Sequence, residues 1–307
     1  MSPKQGRKIA LVGASGNVGS QTLSALLSQN IHTITVIQRP ESTAEFPPKV
    51  ILNKGPLDDE AFLAGALNGQ DVLVLQLPRP VTDIRPGLIR AAAKANVKYI
   101  LPVEFGTDPE AKIVDEFDHL AQKRETRKLV EDLGTSSWIA VVTNPWLDLG
   151  LSVGGWGIRV KERKAALFEG GNTKVNTSTL KRSGEATAEL LSLPETELVK
   201  FRNRAFFISS FYVSQQEIFE SVLRATKTTE KDWDVTTPTV NDVTKESDEA
   251  LKAGNFMKSF LDKYYMTHLR EGFGGDYNDK VDSKNLRLPE EDFDKVVAET
   301  LKSAGLA

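Results

Sequence analysis

Lys8-Ile9-Ala10-Leu11-Val12-Gly13-Ala14-Ser15-Gly16-Asn17-Val18-Gly19 is the stretch whose reading decides the fold. Five mostly apolar residues run straight into a glycine-rich turn, and a helical pattern with Val18, Thr22 and Leu26 at steps of four follows. A strand that hands over to a helix through such a turn is a place for phosphate. Gly13 permits the tight turn off the strand, Gly16 lets backbone approach a pyrophosphate, and Gly19 lets the helix pack closely on the sheet. The helix start then offers unpaired N–H groups and a partial positive charge to an anion. The spacing is Gly-x-x-Gly-x-x-Gly, a variant of Gly-x-Gly-x-x-Gly, and its position between a buried strand and an amphipathic helix gives it weight. The plain alternative is a glycine-rich turn without a ligand.

Outward from this loop the pattern repeats. Short apolar, β-branched runs recur at Thr33–Ile37, Val50–Asn53, Asp71–Leu77, Lys98–Leu101 and Trp138–Thr143. Between them lie helical stripes such as Ala61, Leu63, Ala64 and Leu67, then Leu88, Ile89, Ala92 and Ala93. Continuous apolar strands alternating with amphipathic helices predict a parallel sheet covered on both faces, and right-handed crossovers make it doubly wound. The expected fold is therefore α/β, of Rossmann type, over about residues 1–150. A smaller and mostly helical portion is expected over 151–307. There, helices are read over Ser183–Leu193 and over Ser214–Arg224 with Ser214 as cap. Three more are read near 242–253, 255–270 and 289–304, and a strand over Ala205–Ser210. Strands between about 175 and 215 are candidates to return to the first sheet.

Composition narrows the function classes. The 307 residues carry a formal net charge of −3 and no cysteine. Disulfides, thiol nucleophiles and cysteine-ligated metals are excluded. Nothing resembles the basic footprint of a nucleic-acid binder, and no run approaches the ~18 apolar residues of a membrane span. The expectation is a cytoplasmic protein, monomer or homodimer, that acts on a small molecule. His32, His119 and His268 have no metal-ligand spacing, so no metal is expected. There is no Gly-x-Ser-x-Gly elbow and no Tyr-x-x-x-Lys pair.

The end of the second strand bears on the choice of dinucleotide. An Asp or Glu there commonly bonds the ribose 2′-hydroxyl. Here the strand ends in Gln38-Arg39-Pro40. Arg39 can pair with a 2′-phosphate through a charge-assisted fork, which favours NADP(H); a solvated surface arginine is the alternative. Farther on, Lys123 stands three residues after Leu120 and seven before Val130, on or beside the apolar face of its helix. A lysine there either snorkels to water or is held in a cleft. In a cleft, desolvation disfavours the ammonium and makes the group a usable acid or base.

These residues resemble the isoflavone reductase-like branch of the NmrA-like family, the atypical short-chain dehydrogenases, its fungal members above all. The glycine loop, Arg39, Pro102-Val103-Glu104-Phe105-Gly106, Lys123 and Thr143-Asn144-Pro145-Trp146 carry the likeness. So do Gly171-Asn172-Thr173-Lys174-Val175 and Leu288-Pro289-Glu290-Glu291-Asp292, which extend it over nearly the whole chain. The resemblance implies an NADPH-dependent reductase of a small aromatic or conjugated substrate of the secondary-metabolite kind. Lys123 is then the catalytic acid or base, although the same helix also holds Lys128. Gly13, Ser15, Gly16, Asn17, Val18, Gly19, Arg39, Leu77, Phe105, Lys123 and Asn144 are expected at the cofactor. Trp146 and Trp156 are candidates for an aromatic substrate wall, with core packing as the alternative for each. Val103 stands where the family has serine, Gly55-Pro56 where Gly-Asp is common, and Leu180–Gly184 lacks an acidic residue often found there. These departures imply a divergent substrate. The same family includes regulators that bind the dinucleotide without turnover, which is the rival reading. A cofactor-assisted isomerase or cyclase is a third.

Overall fold

The computed structural model describes residues 4–77 and 84–307. In the first half, β1 (Lys8–Val12), β2 (Thr33–Gln38), β3 (Ile51–Lys54), β4 (Val72–Leu75), β5 (Tyr99–Leu101) and β6 (Ser137–Val142) alternate with helices. These are α1 (Asn17–Gln29), α2 (Glu60–Leu67), α3 (Arg85–Lys94) and α4 (Asp118–Leu133). In the second half α5 (Leu147–Val153) leads to the short strands β7 (Ile158–Arg159), β8 (Lys164–Ala166) and β9 (Lys174–Thr177). Then come α6 (Leu180–Ser192), α7 (Glu195–Leu198), β10 (Arg204–Phe207), β11 (Phe211–Ser214) and α8 (Gln215–Thr226). The chain closes with β12 (Asp234–Thr236), α9 (Val240–Lys252), α10 (Phe256–His268) and α11 (Phe293–Ser303).

Seven strands form one sheet in the order β10-β6-β5-β4-β1-β2-β3, with every pairing parallel. The order reverses direction between β1 and β4, which is where such sheets open a crevice for ligands. The central strands explain the burial. Ile9, Leu11, Val36, Val74 and Ile139 pack on one face, and Ala10, Ile37, Leu73, Leu75 and Ala140 on the other. Both faces are covered, as parallel strands require.

Of the stretch 175–215, β10 joins the large sheet beside β6. β9 and β11 pair with each other antiparallel instead. α6 also packs closely on α1, where Gly184 lies against the Gln21 backbone. The second half thus supplies both a strand and a helix to the first layer. Its own core gathers Leu147, Trp156, Phe168, Phe219, Tyr265 and Leu301 around the small β12-β8-β7 sheet, α8 and α11. Ser214 caps α8 through a full capping box with Glu217, as its position before the helical pattern predicts. Phe117 is the N-cap of α4, in extended conformation. No helix of the described residues is long and apolar enough to cross a membrane.

Candidate functional site

The glycine loop sits at the C-terminal edge of the sheet, at the reversal point. Gly13 has φ +87°, and a Cβ there would meet the Gln76 carbonyl oxygen at 2.1 Å. Gly19 is held by contact rather than conformation: a Cβ would lie 2.0 Å from the Gly13 oxygen. α1 begins at Asn17 with Gly16 as N-cap. Among the described residues no side chain caps it, and its first turn holds no acidic residue. A helix whose opening N–H groups lack a protein partner presents a partial positive charge where an anion can dock.

A cavity of about 220 Å³ opens directly at this helix start. Gly13, Ser15 and Gly16 form its floor, and Gln38, Arg39 and Ser42 form one wall. Leu57, Leu77 and Ile84 give it an apolar side. The Arg39 side chain is 64% exposed and pairs with Glu41 at 3.3 Å. It lines the cavity as an exposed cation. Gln38 accepts the Ser42 hydroxyl at 2.9 Å, and Lys54 Nζ donates to the Ser42 carbonyl at 2.7 Å. The far end of the second strand is therefore polar and cationic, and no carboxylate of the strand itself faces the cavity.

The tips of β5 and β6 lie farther along the same edge. Phe105 (φ +23°) and Asn144 (φ +53°) both adopt the left-handed region there, a strain that clusters at ligand-handling sites. The Thr143 and Asn144 amides both donate to the Gly106 carbonyl, at 2.9 and 3.0 Å. Asn144 is buried, and its Nδ2 donates to the carbonyls of Asn176 (3.0 Å) and Gly275 (2.8 Å). Its Oδ1 is buried and has no hydrogen-bond partner among the described residues. An orphan acceptor of this kind is costly without a donor and marks a place where a bound group can complete the structure. Gln76 Oε1, beside the glycine loop, is a second such atom.

Lys123 is 8% exposed. Its Nζ donates to the Glu104 carbonyl at 2.6 Å and lies 3.5 Å from Glu104 Oε2. Arg127, one turn later on α4, donates to Glu104 Oε1 at 2.6 Å. Two cations share one carboxylate, and the carboxylate and both cations are buried. Burial makes each charge depend on the others, so the head of Lys123 is fixed beside the β5 tip. Lys128 is different: it is exposed and pairs with Asp132 at 2.7 Å. Of the two lysines on this helix only Lys123 faces inward.

The two tryptophans are not brought to this edge cavity. Trp146 packs against the large-sheet core and donates its Nε1–H to Ser183 Oγ at 3.0 Å. Trp156 is fully buried and meets Tyr265 edge-to-face, with ring centroids 4.9 Å apart. It lines a separate cavity of about 300 Å³ under α10 and the small sheet. Phe105 is likewise buried in the sheet core. Sequence reading missed Arg127, although its i+4 spacing from Lys123 places the two on one helix face. It also missed Thr107, Tyr264 and His268, which come together only through the fold. Among the described residues no cluster of His, Asp or Glu could hold a metal ion.

A doubly wound sheet with a glycine-rich turn leading into a helix start is the arrangement on which dinucleotide-binding α/β proteins hold a pyrophosphate. Residues 5–146 match the model of the NmrA-like family. A similar relative is the oxidoreductase aprR of Aspergillus flavus, 29% identical, with 96% of this chain and 99% of the relative covered. Two solved structures share the fold over 96% of this chain and 99% of theirs. AtPrR2 with NADP+ and (+)pinoresinol is 20% identical with a TM-score of 0.76. An isoflavone reductase is 19% identical with a TM-score of 0.77.

Proposed function

We propose that this protein is an NADP(H)-dependent reductase of a small aromatic or conjugated molecule, with Lys123 as the acid or base. The observation that carries the reading is the cavity where the uncapped start of α1 meets Arg39. It offers backbone N–H groups for a pyrophosphate and a guanidinium for a 2′-phosphate. Residues 1–150 make up the cofactor-binding part, and the portion from 151 supplies the substrate side. The relatives support it as well: a relative matched over 99% of its length is named an oxidoreductase, and a neighbour of the same fold was solved with NADP+ and (+)pinoresinol.

Gly13, Ser15, Gly16 and the amides of Asn17, Val18 and Gly19 hold the phosphates. Leu77 flanks the path toward the strand tips, where Asn144 Oδ1 awaits a donor. A reduced nicotinamide bound along this edge supplies a hydride. Lys123 supplies or removes the proton that accompanies reduction at a nearby oxygen, and Glu104 and Arg127 hold it in place. The buried ion triad carries a formal charge of +1, which favours negative charge developing on that oxygen.

The experiment measures NADPH and NADH binding by calorimetry, then oxidation of bound NADPH by a panel of aromatic enones, quinones and benzylic ethers. Turnover that falls at least ~100-fold in Lys123→Ala is the expected result for loss of a general acid or base. Tight binding without turnover on any substrate, with the mutant behaving as wild type, would refute the enzyme in favour of a sensor.

A further inference from the structure

β3 ends beside β2, and its last residue reaches the turn that carries Arg39. Lys54 is the registered partner of Gln38 across the parallel pair of β2 and β3. Partners in such a register project from the same face of the sheet, so the lysine stem rises on the side of the Gln38 side chain. Both side chains then meet Ser42. The Ser42 hydroxyl donates to Gln38 Oε1 at 2.9 Å, and Lys54 Nζ donates to the Ser42 carbonyl at 2.7 Å. The Ser42 amide donates to the Arg39 carbonyl at 3.1 Å, which closes the turn Arg39-Pro40-Glu41-Ser42. Gln38, Arg39 and Ser42 all line the cavity at the start of α1. The Lys54 ammonium is therefore fixed against a residue of the cavity wall.

The charges at this corner are unequal in effect. Arg39 pairs with Glu41 at 3.3 Å, so the guanidinium and the carboxylate of one turn cancel to a net charge of zero. Lys54 meets a carbonyl, which neutralises nothing, and so brings a full positive charge to the same turn. A phosphomonoester carries about −1.5 to −2 charges at neutral pH. One docked beside Arg39 feels the Lys54 charge whether or not it touches the ammonium, because attraction between charges acts through space. A ribose 2′-hydroxyl carries no charge and gains nothing comparable.

We propose that Lys54 is a second cation for the ribose 2′-phosphate and, with Arg39, sets the preference of this protein for the phosphorylated dinucleotide. The inference rests on the NADP(H) reading above and deepens it. The two cations differ in what they supply. Arg39 offers a directional fork of donors, whereas Lys54 offers a point charge. Through its bond to the Ser42 carbonyl, Lys54 also holds the turn on which Arg39 is mounted. Because Lys54 is exposed, its share of the attraction is open to screening by salt, which separates a charge effect from a purely structural one.

Calorimetry tests it. NADP+ is first titrated into the wild-type protein; absence of binding refutes the dinucleotide reading and the role of Lys54 with it. Adenosine 2′,5′-bisphosphate and 5′-AMP are then compared, since they differ only in the 2′-phosphate. Lys54→Met keeps the stem and removes the charge. It is expected to weaken the bisphosphate about three- to tenfold, the scale of one screened charge near a phosphate dianion. Binding of 5′-AMP is expected to change less than about twofold, because its phosphate belongs at the glycine loop, away from this corner. Lys54→Arg keeps the charge and is expected to retain the wild-type preference. Raising the salt from about 0.05 to about 0.5 M is expected to shrink the difference between wild type and Lys54→Met. Equal weakening of both nucleotides, no weakening of the bisphosphate, loss of the preference in Lys54→Arg, or a difference indifferent to salt would overturn the role of Lys54 while leaving NADP+ binding by the wild type intact.

Discussion

Gly16→Ala separates the two jobs of the glycine loop. Gly16 has φ −75° and ψ 174°, a conformation that alanine adopts without strain. A Cβ built there would lie 3.4 Å from the Gly13 oxygen and 3.8 Å from the Gln76 oxygen, which is ordinary contact. Alanine is a poorer N-cap than glycine, a loss of at most about 1 kcal/mol. It also restricts the unfolded chain, a gain of about 0.4–1 kcal/mol. The two nearly cancel, so folding stability should change by less than ~0.5 kcal/mol. The cavity at the helix start tells another story. A methyl group on its floor stands where a pyrophosphate must approach, and inserting a methylene into a packed contact costs about 1–3 kcal/mol. NADPH affinity should fall about 10- to 100-fold. Gly19→Ala is the control, because its Cβ would lie within 3.1 Å of three backbone atoms and the fold itself should suffer. Urea unfolding and calorimetry on the same samples give both numbers. NADPH binding within twofold of wild type in Gly16→Ala would refute the placement of phosphates on this loop.

Three further outcomes follow from other parts of the edge. Arg39→Ala should weaken NADPH by about 10- to 100-fold, the worth of a charge-assisted contact. NADH should change less than about twofold, and thermal stability should barely move, because the exposed Arg39–Glu41 pair is worth under ~1 kcal/mol; competitive binding of the two cofactors reads the difference. Arg127→Met takes one cation from the buried Glu104 carboxylate and should destabilise the fold by about 3–5 kcal/mol in urea titration. His268 has a folded-state pKa of about 4 against about 6.5 when unfolded. The unfolded chain therefore binds a proton first as pH falls. The stability tied to His268 is whole above pH 6.5 and is lost between 6.5 and 4, on the order of 3 kcal/mol. His268→Gln should flatten that interval relative to wild type, and equal slopes in the two proteins would sink the assignment of a buried neutral ring.

How much of this was legible in sequence depends on how local each cause is. The glycine loop, the β1–α1 handover and the alternating strands could be read because each is decided within about fifteen residues by backbone conformation and periodicity. Helix limits differ by one to four residues: α6 starts at Leu180 behind the cap Thr179, where the sequence reading begins at Ser183. The strands of the small sheet, two or three residues each, are too short to carry a period. Lys123 was found by its place on a helix face, yet its carboxylate partner sits on another element. Glu104 was in view in the Pro-Val-Glu-Phe-Gly motif without any sign of what it would hold. Trp156, a candidate for the substrate wall with core packing as its alternative, is fully buried against Tyr265 and belongs to the second core. The Thr107–Tyr264–His268 chain had no local signal at all. Tyr264 and His268 are one helical turn apart, a spacing that a plain buried helix produces as readily. Only when α10 is laid across the β5 tip does that spacing acquire a third member. The glycine loop is thus written in contiguous residues, whereas the Thr107–Tyr264–His268 cluster is written in the packing of α10 on the sheet. A change in the packing of α10 can therefore alter the second while leaving the first intact.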